Sequence, residues 1–296
     1  MSNYLLVALV LLSAGCITPE GTVPEESPVR VVDDLGRNIT LENYPERIVS
    51  TAPSNTEILF ALGLGDRVVG VTEYCDYPEE AKEKEKIGGF STVDIERIIA
   101  LKSDLVLATQ KTGNENIERL EELGIPVAVL QPENLDGILE DIKLVGELTG
   151  TEDRAYALEA GMRERMEAVY KKTRNLEKPK VFYVVWHDPL MSAGSETFIS
   201  DLISMAGGVN IAQDIVGYKT MSLETVVDRD PDIIIVSIGP GQHSTYDFLM
   251  EEKRLQDVSA AKNGRIYAVD QNIVSRAGPR IVDGLEEFAK FIHPEG

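Results

Sequence analysis

Cysteine is almost missing from this chain: there are two, Cys16 and Cys75, in 296 residues. A disulfide framework is therefore excluded, and a pair joining the two would tie a polar leader segment to the folded body. Cys75 is expected as a small buried hydrophobe. Basic residues are few as well, 29 Lys and Arg against 50 Asp and Glu, for a net charge of −21. No stretch is strongly basic, so phosphate neutralisation, and with it nucleic acid as a partner, is excluded. Histidine occurs three times, at 187, 243 and 293. A bare metal-ion carrier would need several His and carboxylate ligands converging, which three scattered histidines do not promise. There is no G-x-S-x-G, no H-E-x-x-H and no Walker loop, and the glycines of GLGDRVVG (63–70) have the wrong spacing for a dinucleotide fingerprint. Without an assembled catalytic set, an enzyme is not expected.

Long apolar runs are also lacking. The one at Tyr4–Leu12 is too short for a stable membrane span but suits the apolar core of a signal peptide. It ends in Ser-Ala-Gly-Cys, a pattern similar to a lipoprotein signal, although no Lys or Arg precedes it and Ser13 stands where leucine is usual. The expectation is a signal peptide at 1–15, lipidation of Cys16, and a tether at 16–28 rich in Pro, Thr and Glu with little to bury.

What is present is alternation. VRVVDD and RNITLE read as a hairpin, after which apolar runs (RIVST, RVVGVTE, DLVLAT, IPVAVLQ) alternate with helical patterns (NTEILFALGLG, IERIIAL, ENIERLEELG). Strand, helix, strand at this spacing predicts a parallel, doubly wound lobe over 29–150. Residues 151–177 carry acids at the front and KKTR at the end, which matches a long helix and its dipole. The alternation restarts at KVFYVVW and runs through 178–296 as a second α/β lobe.

Each lobe contains the same sentence once: GFSTVDIERIIALKSDLVLA at 89–108 and GYKTMSLETVVDRDPDIIIV at 217–236. Asp94 and Ser222 are good N-cap types, and Glu96 and Glu224 then fall in the first helical turn, where the helix dipole favours a carboxylate. Two similar lobes that each present one carboxylate make a surface suited to a partner with two-fold symmetry. Phe90 and Tyr218 precede these helices, while Tyr74 and Trp186 also fall at or beyond strand ends. In doubly wound sheets that is where ligands bind, and four rings there predict a wide, partly apolar pocket.

PERIVSTAPSNTEILFALGLGDRVVGVTEYCDYPEEA, ERIIALKSDLVLA and VDQNIVSRAGPRIVDGLE together resemble the substrate-binding lipoproteins of ABC importers for iron-siderophores, haem and cobalamin. The resemblance covers about residues 29–293, and TEYCDYPEEA looks closest to the cobalamin-binding members. It implies two doubly wound, Rossmann-like lobes joined by one long α-helix, a class III periplasmic-binding-protein-like fold. It also implies a corrinoid (cobalamin, vitamin B12) held between the lobes as ligand, with no cofactor. Tyr74, Phe90, Trp186 and Tyr218 match aromatic pocket positions of the family, Ser54 a small residue at the pocket edge, and Asp270 and Arg276 polar contacts from the second lobe. Thr109 stands where the cobalamin binder has a tryptophan. Glu96 and Glu224 match the glutamates that dock onto a dimeric permease carrying ATPase subunits. His187 is a residue that could cap a ligand's metal. The implied location is extracytoplasmic: lipid-anchored to the outer face of the cytoplasmic membrane, or periplasmic. A ferric siderophore or haem as ligand, and a surface-adhesion lipoprotein without transport, are the competing readings.

Overall fold

A computed structural model of the chain describes residues 28–239 and 243–294. The expected signal peptide, Cys16 and all but the last residue of the expected tether lie outside them. Val29–Val32 and Asn38–Leu41 pair as the antiparallel hairpin, which lies against helix Leu135–Thr149.

The first lobe is built on a five-stranded sheet in the order Glu85–Lys86, Val68–Val71, Ile48–Ser50, Leu105–Ala108, Val127–Val129, parallel throughout. Ile48–Ser50, Leu105–Ala108 and Val127–Val129 are buried at every position, as expected for strands covered on both faces by helices. The second lobe has a parallel sheet in the order Val209–Asn210, Lys180–Val184, Ile233–Ile238, Ile266–Asp270. It also has a feature absent from the sequence reading, a three-stranded antiparallel sheet of Tyr218–Thr220, Leu190–Ala193 and Trp186–His187. KVFYVVW reads as one strand, yet the chain leaves the parallel sheet after Val184. Asp188-Pro189 then turns it back so that Trp186 pairs with Met191. Proline cannot donate to a ladder and fixes its own φ, so the turn falls there.

Helix Glu152–Thr173 joins the lobes. Its 22 residues span about 33 Å at 1.5 Å each. Glu152 and Asp153 open it, and Lys171 and Lys172 close it. It ends short of the predicted 177: the Thr173 hydroxyl donates to the Met205 carbonyl at 2.9 Å, and the chain turns toward Pro179. Ala155, Met162, Met166, Val169 and Thr173 form its buried stripe. Met162, Met166 and Val169 belong to one continuous apolar core that includes Ile48 and Leu105 of the first lobe and Val181 and Phe288 of the second. Arg165, bordering this stripe, holds Asp283 at 2.7 Å and Glu286 at 2.8 Å on the last helix, Ile281–Ile292. The helix is packed into both lobes and acts as a spine.

Candidate functional site

Each lobe carries one aromatic pair, the first beyond a strand end and the second on the antiparallel sheet. In the first lobe Tyr74 follows strand Val68–Val71 and stacks on Phe90, with centroids 4.6 Å apart and planes at 9°. Half of Tyr74 is exposed, so the stacked pair presents a flat face to solvent. The turn that delivers Phe90 depends on Gly88, at φ +90, where a Cβ would stand 2.3 Å from the Thr92 carbonyl oxygen. Lys111 Nζ lies 5.9 Å from the Phe90 centroid, at the outer limit of a cation–π contact.

In the second lobe the pair is made by the antiparallel sheet. Trp186 lies opposite Met191 and Tyr218 opposite Ala193. Met191 and Ala193 are two apart on one strand, so Trp186 and Tyr218 share a face. They are 41% and 44% exposed, and the Trp186 indole donates to the Asp188 carbonyl at 2.8 Å. Tyr218 sits in a concave setting: although its surface is reachable, the protein packed around it, and then Tyr183, push its phenol well above the usual value. Beside Trp186, His187 shares a hydrogen bond through Nδ1 with the Thr245 hydroxyl at 2.9 Å, its ring near both Trp186 and Phe248.

The polar positions behave differently from one another. Ser54, half-buried near the start of helix Pro53–Ala61, donates its hydroxyl to Asn55 Oδ1 at 3.2 Å. Its backbone abuts the second lobe: a Cβ on Gly278 would meet the Ser54 carbonyl oxygen at 3.3 Å. Asp270 ends strand Ile266–Asp270 and accepts from the Asn272 amide at 2.8 Å, capping the short helix that follows. Arg276 leaves Asp270 and reaches across the lobe boundary to Glu57 at 3.0 Å and Asp76 at 2.7 Å. Arg280 joins it, gripping Glu57 with two bonds of 2.6 and 2.9 Å and lying 3.9 Å over the Tyr77 ring. Burial works against ionising Asp76, but the Arg276 guanidinium outweighs it and holds the carboxyl below its usual range.

Glu57, Asp76 and Arg280 escaped the sequence reading. A signal was present: NTEILFALGLG places one carboxylate in an otherwise apolar helix, and such a group needs a cation from elsewhere. Arg276 and Arg280, four apart, are the pair that supplies it.

The repeated segments form matching helix starts. The Asp94 side chain accepts from the Arg97 amide at 2.9 Å and Ser222 from the Thr225 amide at 3.1 Å, capping helices Ile95–Ala100 and Leu223–Arg229. Glu96 and Glu224 are exposed in the first turns. They differ in one respect: Glu224 pairs with Arg254 at 3.2 Å, whereas Glu96 has no ion pair among the described residues. Also among the described residues, no three His, Cys, Asp or Glu side chains converge to hold a metal ion.

Comparison with known proteins places this geometry. The signature of the periplasmic binding protein family matches residues 48–273. An uncharacterised ABC transporter substrate-binding lipoprotein of Bacillus subtilis is 34% identical over 98% of this chain and 96% of its own length. The crystal structure of the periplasmic vitamin B12-binding protein of Vibrio cholerae superposes with a TM-score of 0.74 at 30% identity, covering 84% of this chain and 97% of that one. The apo form of a periplasmic haem-binding protein from Roseiflexus is as near, with a TM-score of 0.76 at 30% identity over 84% and 98% of the two chains. The chain belongs to the periplasmic binding protein family: it is an extracytoplasmic substrate-binding component of an ABC transporter and not an enzyme.

Proposed function

We propose that this periplasmic binding protein captures a corrinoid between its two lobes and delivers it to a dimeric permease. The observation that carries the reading is the set of aromatic faces, stacked Tyr74 and Phe90 on one lobe, Trp186 and Tyr218 on the other. Rings of this kind offer large rigid contact area to a flat, bulky ligand. A corrinoid brings its own metal coordination and needs only such walls with a few polar groups at their edges, the place of Ser54, Asp270 and Arg276.

Haem and ferric siderophores are the alternatives within the same architecture, and the haem-binding neighbour keeps haem in view. Two features favour the corrinoid. The Tyr218 phenol is pushed up, which opposes the phenolate a ferric ion prefers. The similarity of TEYCDYPEEA to cobalamin binders points the same way. In this reading residues 1–15 are the leader, Cys16 carries the lipid, 16–28 are the tether, and Glu96 and Glu224 meet the permease. Titration calorimetry of the body from Val29 with cyanocobalamin, ferric hydroxamate and haemin tests it. One-to-one binding of the corrinoid alone is expected, and tight binding of haemin or the hydroxamate without corrinoid binding would replace the ligand.

A further inference from the structure

In the cluster of Glu57, Asp76, Arg276 and Arg280 that joins the lobes, three groups are nearly buried and one is half-exposed. The side chains of Glu57, Arg276 and Arg280 are 2%, 13% and 19% exposed. Asp76, only 2.7 Å from Arg276, is 45% exposed, and it lies two residues beyond Tyr74 at the same strand exit as the aromatic pair. Glu57 alone cannot neutralise two guanidiniums, so a second anion at Arg276 is required for the cluster to be neutral. Among the described residues Arg276 donates one side-chain hydrogen bond, from Nη1 to Glu57, and Asp76 comes closest to that same nitrogen, so Nη2 and Nε donate no hydrogen bond. A carboxylate or phosphate that takes this fork competes with Asp76 for the same single positive charge.

We propose that Asp76 is an internal counter-ion, holding Arg276 in the empty protein until an anionic group of the ligand displaces it. Glu57 is then the positioning residue that keeps Arg276 and Arg280 in place through the exchange, and neutrality is preserved because one anion replaces another. The inference rests on the cleft being the ligand site and adds a chemical requirement: the ligand carries a carboxylate or phosphate that faces the second lobe. Specificity follows from the competition, since a neutral ligand gains nothing at Arg276 and leaves Asp76 where it is.

Three probes test this by calorimetry at low salt: cyanocobalamin, which has a phosphodiester; dicyanocobinamide, which lacks it; and haemin, which has two propionates. Asp76→Asn removes the competitor and should tighten whichever anionic probe the wild type binds by about two- to fivefold, the reach of one half-exposed ion pair. Cobinamide affinity should not change, and Asp76→Glu should stay close to wild type. Equal or weaker binding of the anionic probe by Asp76→Asn, or equal tightening of cobinamide, would overturn the inference. So would a wild-type protein that binds neither anionic probe. Binding of haemin in place of cyanocobalamin would defeat only the corrinoid reading, and the haemin comparison would then decide the role of Asp76.

Discussion

Asp141 should make this protein less stable as the pH rises, and its replacement should reverse the effect. The residue lies on helix Leu135–Thr149 under the N-terminal hairpin, 1% exposed, and as a carboxylate neither of its oxygens has a donor. Burial, then the neighbouring Asp34 carboxylate, and lastly Glu140, push it up to about 9. At neutral pH it is therefore protonated, and its hydroxyl has Asp34 as acceptor. Asp34 is in turn tied to the Gln131 amide at 2.5 Å. One proton between two carboxyls joins the hairpin to the helix.

The folded-state pKa is raised, so the folded protein keeps a proton that the unfolded chain releases above about pH 4. The contribution is fully present below that pH and is lost progressively as the pH rises toward 9. At about 1.4 kcal/mol per unit, the three units between pH 4 and 7 set a ceiling of roughly 4 kcal/mol. Asp141→Asn supplies a neutral donor to Asp34 without a proton and should be more stable than wild type by about 2–4 kcal/mol at pH 7.5. Its advantage should shrink toward pH 4. Urea unfolding of both proteins at pH 5, 7 and 9 measures the difference directly. A difference that does not vary with pH would refute the shared proton, and a less stable variant at pH 9 would refute the burial argument as well.

Other outcomes follow from the same geometry. Trp186→Ala or Tyr218→Ala should weaken ligand binding by about 1–3 kcal/mol each by calorimetry, with unchanged affinity at both showing that the pocket lies elsewhere. Glu57→Gln leaves two nearly buried guanidiniums facing one remaining carboxylate and should cost about 3–5 kcal/mol in denaturant unfolding; a loss below about 1 kcal/mol would mean the cluster is open to water. The spine, packed into both lobes, should limit closure, so small-angle scattering of free and loaded protein should give closely similar radii of gyration. A clear contraction on loading would contradict it.

Local chemistry explains what was legible in the chain. The two N-caps, the dipole-matched connecting helix and the fully buried strands follow from residue types within a few positions of one another. Cys75 is buried as expected, with the Thr56 and Thr72 hydroxyls 3.1 and 3.2 Å from its sulfur. What was illegible depends on distant partners. Nothing in the apolar run KVFYVVW says that its last residues leave one sheet for another, because the reason lies in pairing with Leu190–Ala193, a strand that the distant Tyr218–Thr220 completes into a sheet. The bond between Arg276 and Glu57 spans 219 positions: Glu57 in its apolar helix signals that a cation is needed, but nothing local says that Arg276 supplies it. Asp141 is hidden in the same way, a polar letter in an amphipathic helix whose buried side is set by a hairpin a hundred residues earlier.

If Glu96 and Glu224 meet the permease as proposed, a difference between the two copies of the repeated sentence has a consequence for transport. Glu96 and Glu224 occupy the same place on equivalent helices, and both are exposed, as a pair meeting a symmetric permease would have to be. Arg254, however, already pairs with Glu224 at 3.2 Å, and it also holds Glu252 at 2.9 Å. An arginine arriving from a partner would have to displace Arg254 at one lobe and nothing at the other. Docking of this kind is charge-assisted and geometrically specific, so the two lobes should contribute unequally. Glu96→Arg should slow uptake through the cognate permease more than Glu224→Arg, and Arg254→Ala should strengthen docking by freeing Glu224. Ligand affinity should be unchanged in all three variants, because these residues sit on helix starts and the ligand contacts proposed above do not involve them. Equal loss from either reversal, with no gain from Arg254→Ala, would show that Arg254 is a bystander swept aside at no cost. Loss of ligand binding together with transport would move both glutamates into the pocket and leave the repetition explained by helix electrostatics alone.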